Sequence, residues 1–149
     1  MQKMRTIFFD MDGTIADLYG VENWLDYLRA EDAFPYENAK ALLNLSVLAR
    51  RLNNLQRNGF RIEIISWLAK NSNKEYDEAV TFAKVHWLRN HLRSVSFDKI
   101  NIVSYGICKD TFRHTELDIL FDDEERNRNE WGGVSFGVDN ILEVLKWLD

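Results

Sequence analysis

Two short acidic clusters carry the side chains best suited to chemistry in this sequence. Asp10 and Asp12 follow the apolar run Thr6-Ile7-Phe8-Phe9, and Asp122 and Asp123 follow Leu117-Asp118-Ile119-Leu120-Phe121. Ser66 ends another β-prone run, Arg61-Ile62-Glu63-Ile64-Ile65, and Lys109 lies soon after Ile100-Asn101-Ile102-Val103. Four carboxylates in one crevice repel each other and need a cation, and hard oxygen ligands suit Mg2+. A bound Mg2+ holds a phosphate oxygen and neutralises charge that builds up during transfer. Lys109 would add a fixed positive charge and Ser66 a hydrogen-bond donor. Phosphoryl transfer is largely positioning plus electrostatics, and it calls for these parts. Residues i and i+2 of an extended segment point the same way, so Asp10 and Asp12 can both face a phosphate. One can attack phosphorus while the other protonates the departing oxygen. Those roles need different pKa values, which neighbouring negative charge helps to separate. Gly13 allows a sharp turn, and Thr14 can hold a carboxylate in place by a hydrogen bond.

These residues are far apart in sequence, so secondary structure must gather them. The runs ending at Phe9, Ile65, Val103 and Phe121 read as strands, and Gly133-Val134-Ser135-Phe136 as a shorter fifth. Between them, residues 39–58 predict a helix, with Leu42, Leu45, Leu48, Leu52 and Leu55 every three or four positions. Gly59 stands where a left-handed cap would fall. Ser72 and Glu75 have capping-box spacing and predict a helix running to about His91. A last helix is expected over 140–147, its apolar side formed by Ile141, Leu142, Leu145 and Leu148. The connection between the third and fourth strands is too short and irregular to predict a helix. Alternating strands and helices imply an α/β fold, a doubly wound, mainly parallel five-stranded Rossmann-like sheet. Ligands collect at the carboxyl ends of such strands, where all six residues fall. With no repeat, low-complexity tract or linker, residues 1–149 are expected to form one domain.

Composition agrees and excludes other classes. The chain has 149 residues, 46% hydrophobic and 29% charged, with five Trp, five Tyr and nine Phe to fill a core. Its formal net charge of −5 argues against a broad nucleic-acid surface. Arg50, Arg51, Arg126 and Arg128 read as solvated helix faces. No apolar run is long enough to span a bilayer, and Met1–Arg5 lead straight into a strand with no room for a signal peptide. The single cysteine, Cys108, cannot form an internal disulfide, so a cytoplasmic setting is expected.

Phe8-Phe9-Asp10-Met11-Asp12-Gly13-Thr14 resembles the first motif of the haloacid dehalogenase (HAD) superfamily, apolar residues followed by D-x-D-G-T. Ile64-Ile65-Ser66 resembles its second motif, Lys109 the third-motif lysine, and Ile119-Leu120-Phe121-Asp122-Asp123 the fourth. The motifs keep the family's order and span residues 7–123. The resemblance implies a HAD-like phosphatase passing through an aspartyl-phosphate on Asp10, which would also be a metal ligand. Asp12 would be general acid and then base, with its backbone carbonyl on the metal. Ser66 and Lys109 would hold the phosphoryl group, Asp122 would complete the Mg2+ shell, and Asp123 would support it. An acid at Asp12 argues against dehalogenation. Lys109 is preferred to Lys99, which precedes its strand and would lie at the wrong edge of the sheet.

Other residues have plainer readings. Glu124 and Glu125 solvate a helix start, His86, His91 and His114 lack metal-ligand partners, and Trp67 reads as a packed core or rim residue. Tyr19 and Trp24 could border the pocket. A receiver domain is disfavoured because its phosphorylated Asp follows a middle strand, and the strand before Ser66 has no such Asp. A phosphomutase or other phosphotransferase keeps the same nucleophile and stays open as an alternative. For a cap over the site, only residues 19–38 are spare, room for one short helix around Trp24 to Arg29. The expectation is an open site for a bulky substrate, small molecule or macromolecule end, or a site closed by a neighbouring subunit in a homo-oligomer. The nearby aromatics point to a nucleotide-like phosphomonoester.

Overall fold

The computed structural model describes residues 5–149; the leader reading rests on Met1–Met4, outside the described residues. The first half contains β1 (Thr6–Phe9), β2 (Ala16–Asp17), α1 (Trp24–Arg29), α2 (Phe34–Asn38), β3 (Lys40–Ala41), α3 (Leu45–Arg57) and β4 (Arg61–Trp67). The second contains α4 (Lys74–His91), β5 (Lys99–Val103), β6 (Ile119–Phe121), α5 (Glu125–Glu130), β7 (Val134–Phe136) and α6 (Ile141–Leu148). β1, β4, β5, β6 and β7 form one parallel sheet in the order β5-β4-β1-β6-β7. The expected doubly wound α/β fold is present.

Burial explains the arrangement. β1 is wholly buried, with Ile7 beside Ile62 and Ile119, and Phe9 beside Ile64 and Phe121. These alternate residues share one core with Leu48, Leu52 and Leu55 of α3 and with Ile141 and Leu145 of α6. Phe8, Ile65 and Leu120 point to the other face, under Trp131. Each fully buried Leu or Phe contributes about 1.5–3 kcal/mol, so β1 is held firmly from both sides. At the end of α3, Gly59 takes φ +97°, Gly59 N donates to Gln56 O and Phe60 N to Leu55 O. That is the left-handed cap expected there.

Several boundaries differ from the sequence reading. α3 starts at Leu45, because Asn44 accepts from Val47 N (3.1 Å) and caps it. Lys40–Ala41 instead pair antiparallel with Ala16–Asp17, and Leu42 is left exposed. Asn73, not Ser72, caps α4 by accepting from Tyr76 N (2.9 Å), while Ser72 turns to Asp77. β6 begins at Ile119 because the preceding Asp118 carboxylate accepts from Thr6 N, His114 N and Thr115 N. Between β5 and β6 there is one 3-10 turn, Lys109–Phe112. The segment over the site holds two short helices, α1 and α2, where one was expected. Tyr36 of α2 packs with Tyr76, Val80 and Ala83 of α4.

Candidate active site

β1 delivers Asp10 to the centre of the sheet edge, where Asp10 N donates to Phe121 O (3.0 Å) and extends the ladder by one residue. The chain then turns tightly, with Thr14 N, Ile15 N and Ala16 N all donating to Met11 O. Gly13 is required in that turn. It adopts φ +81°, and a Cβ there would collide with the Asp123 carboxylate. Thr14 Oγ1 donates to Asp10 Oδ2 (3.0 Å), holding the carboxylate as its position in the sequence suggested.

Lys109 lies between the two acidic clusters. Its Nζ is 2.9 Å from Asp10 Oδ1 and 2.7 Å from Asp122 Oδ2, and all three side chains are buried or nearly so. Lys99 begins β5 at the opposite edge of the sheet, exposed. Asp122 also accepts from Glu124 N (3.0 Å) and Asn127 Nδ2 (3.1 Å), so its carboxylate is tied from three directions. Arg128 is half-buried rather than fully solvated as its sequence context implied. Its Nη1 donates to the Asp122 carbonyl (2.9 Å).

Oxygens of Asp10, Asp122 and Asp123 all lie within 4.8 Å of one another. This all-oxygen donor set fits a hard divalent cation. Ser66 is fully buried at the end of β4 and does not border the cavity; its Oγ accepts from Lys84 Nζ (2.7 Å). The same ammonium donates to Asp12 Oδ2 (2.9 Å) and to Trp67 O (2.7 Å). Lys84 was missed in the sequence, yet a signal existed. It lies on the buried stripe of α4 with Tyr76, Val80, Ala83 and Trp87, where a lysine must have a partner.

The crowding of carboxylates is therefore partly relieved inside the protein. Asp10, Asp12, Asp122 and Asp123 face two buried ammonium groups, which leaves two negative charges when every group is ionised, the charge of one divalent cation. Burial pushes the Asp12 carboxyl above its ordinary value, Lys84 opposes that, and Asp10 adds to it. Asp122 is pushed up to about 6 by burial and by Asp10, against Lys109. Asp123 is pushed up to about 8 by burial and by Asp10. Burial disfavours the charge on Lys109, but Asp10 and Asp122 outweigh it and raise its pKa.

A cavity of about 260 Å³ opens on this edge, lined by Asp10, Asp12, Lys109 and Asp122. Tyr19, Trp24, Tyr36, Trp67 and Tyr105 form its aromatic walls. Tyr19 and Trp24 meet edge to face at 5.0 Å, and Trp67 leans on Tyr105 at 5.1 Å. Trp67 is thus a rim residue that also borders the cavity, with its ring 5.3 Å from Lys109 Nζ. A larger groove of about 510 Å³ between α3 and the end of α4 contains no carboxylate.

No family model and no curated protein sequence matches the chain. Among solved structures, it is similar to D,D-heptose 1,7-bisphosphate phosphatase from Burkholderia thailandensis, with a TM-score of 0.52 and 16% identity. That likeness covers 84% of this chain and 70% of the other. A haloacid dehalogenase-like hydrolase from Burkholderia xenovorans gives a TM-score of 0.43 at 13% identity, over 91% of this chain and 81% of the other. The first likeness shows a shared fold.

Proposed function

We propose that this chain is a HAD-superfamily phosphatase, a Mg2+-dependent phosphohydrolase that cleaves a phosphate monoester through an aspartyl-phosphate on Asp10. The observation that carries this reading is the geometry at Asp10. The carboxylate closes the central strand, borders the cavity, and has Lys109, Asp12 and the Asp122–Asp123 pair around it. The order of motifs in the sequence and the fold shared with a phosphatase support it.

In this mechanism an Asp10 carboxylate oxygen attacks phosphorus and the ester P–O bond breaks. The proton of Asp12 goes to the departing oxygen, which suits a carboxyl held above its ordinary pKa. Asp12, now ionised, takes a proton from water, whose oxygen attacks the phosphoryl group and releases phosphate and free Asp10. Lys109 stabilises the phosphoryl oxygens. Asp10, Asp122 and the Asp12 carbonyl would hold Mg2+, supported by Asp123 and Thr14. Mg2+ would supply charge neutralisation at the transferring group.

The same reading takes residues 1–149 as one domain with a small cap at 19–38, in a reducing cytoplasmic setting given its lone Cys108. No helix among the described residues is long and apolar enough to cross a membrane. The aromatic walls favour a nucleotide-like substrate, whose base offers a flat face for stacking.

The test is a phosphatase screen over nucleotides, sugar phosphates and phosphopeptides, with and without Mg2+, for wild type and Asp10→Asn. Wild type should turn over at least one class only with Mg2+, and Asp10→Asn should lose nearly all turnover with the fold intact. Near-normal hydrolysis of an activated aryl phosphate by Asp10→Asn would falsify the covalent mechanism.

A further inference from the structure

Lys84 lies outside the motifs that brought the other site residues together, yet it is as fully buried as Asp122. Its side chain is fully enclosed, carried into the sheet edge from the middle of α4. An ammonium has three protons and no acceptor capacity. Here each proton has one acceptor: Asp12 Oδ2 at 2.9 Å, Ser66 Oγ at 2.7 Å and Trp67 O at 2.7 Å. The Tyr36 ring of α2 covers the same ammonium at 5.0 Å. One side chain thus joins the acid after β1, the hydroxyl and carbonyl at the end of β4, and the helix pair above the cavity.

We infer that Lys84 is a positioning residue for the proton-transfer step, fixing which oxygen of Asp12 is presented to the departing group. This rests on the phosphatase reading. With Oδ2 held by Lys84, only Oδ1 of Asp12 is left for exchange with a substrate oxygen, and the carboxyl cannot rotate freely. Ser66 and the Trp67 carbonyl set the ammonium itself, because both belong to β4, which is paired on both sides by β1 and β5. Ser66 Oγ must act as acceptor toward Lys84, which keeps its own proton available for another partner. A long flexible lysine becomes a fixed strut only when all three protons are taken, as they are here.

The experiment compares kcat/KM for p-nitrophenyl phosphate with that for glycerol phosphate, in wild type, Lys84→Met and Asp12→Asn with Mg2+ present. The value of kcat/KM reports phosphoryl transfer to Asp10, before the hydrolytic step. A p-nitrophenolate leaves without help from a proton, whereas an alkoxide does not. If Lys84 aims Asp12, Lys84→Met should lose at least about 10-fold more on glycerol phosphate than on p-nitrophenyl phosphate. In an Asp12→Asn background the Lys84 substitution should add no further selective loss. Should Lys84→Met fail to fold, Lys84→Gln, uncharged and one atom shorter than lysine, is read by the same ratio. Equal losses on both substrates from an otherwise active protein would overturn the assignment to Lys84 and leave the phosphatase reading intact. A wild type with no Asp10-dependent hydrolysis would remove both.

Discussion

Lys109, Asp10 and Asp122 form a buried triad, and the protonation of the acids around it makes a prediction at the residue scale. A carboxyl whose pKa is raised by folding binds more protons in the folded state than in the unfolded one. Its contribution is present at low pH and is lost as pH rises toward the folded-state value. Asp122 is raised from 3.8 to about 6 and Asp123 from 3.8 to about 8, and Asp12 moves in the same direction. Without metal, stability should therefore fall as pH rises from about 5 to 8. Saturating Mg2+ should reduce or reverse that slope, because it binds the ionised carboxylates and adds more stability as pH rises. Melting temperatures in chelator and in Mg2+ across this range measure both slopes. A melting temperature that climbs with pH in chelator would contradict the assigned environments of Asp122 and Asp123.

At the scale of elements, two glycines separate backbone strain from site geometry. Gly59 ends α3 at φ +97° with open space around it, so Gly59→Ala meets only the left-handed backbone. Its expected cost is about 1 kcal/mol of stability with turnover unchanged. Gly13 has φ +81°, and a methyl group would also strike the Asp123 carboxylate. Gly13→Ala should cost about 1–3 kcal/mol and lose most of the turnover as well. Urea unfolding beside a phosphatase assay distinguishes them. A fully active Gly13→Ala would mean that the turn after β1 does not set the acids. The same scale explains why the helix before β4 was drawn too long. Leu42 continues the leucine spacing, but Asn44 offers the cap and Lys40–Ala41 pair antiparallel with Ala16–Asp17. The local hydrogen-bonding choice overrode the apolar period.

For the molecule as a whole, the segment carrying α1 and α2 lines one side of the cavity. α1 and α2 are short, and α2 is anchored on α4 through Tyr36, while Tyr19 and Trp24 meet at the cavity wall. A cavity of about 260 Å³ walled by aromatics can hold part of a substrate, but lids this small enclose little of a larger one. Selectivity should then depend on wall residues or on a partner surface, either a second copy or a macromolecular substrate. Trp24→Ala should change preference among phosphomonoesters more than it changes the rate with a small aryl phosphate. Specificity profiles of wild type and Trp24→Ala, with a sizing experiment, check this. A strictly monomeric protein sharply selective for one small metabolite, with Trp24→Ala unaltered, would refute it.

The sequence alone determined the sheet and the residues at its carboxyl edge. Asp10, Asp12, Asp122 and Asp123 each adjoin the apolar strand that carries them, so a few contiguous residues announce both the element and the side chains at its end. Lys109 was legible for a weaker reason, as a lysine just beyond β5, and the 3-10 turn after Cys108 accounts for its reach to both clusters. Only the tertiary structure decided the partners supplied from elsewhere. Lys84 meets Asp12 across 72 positions in sequence, Arg128 reaches back to the Asp122 carbonyl, and α2 covers the site by packing on α4. The physical reason is that burial pairs charges by distance in space, and a lone lysine or arginine on a helix gives no local sign of which acid it will meet.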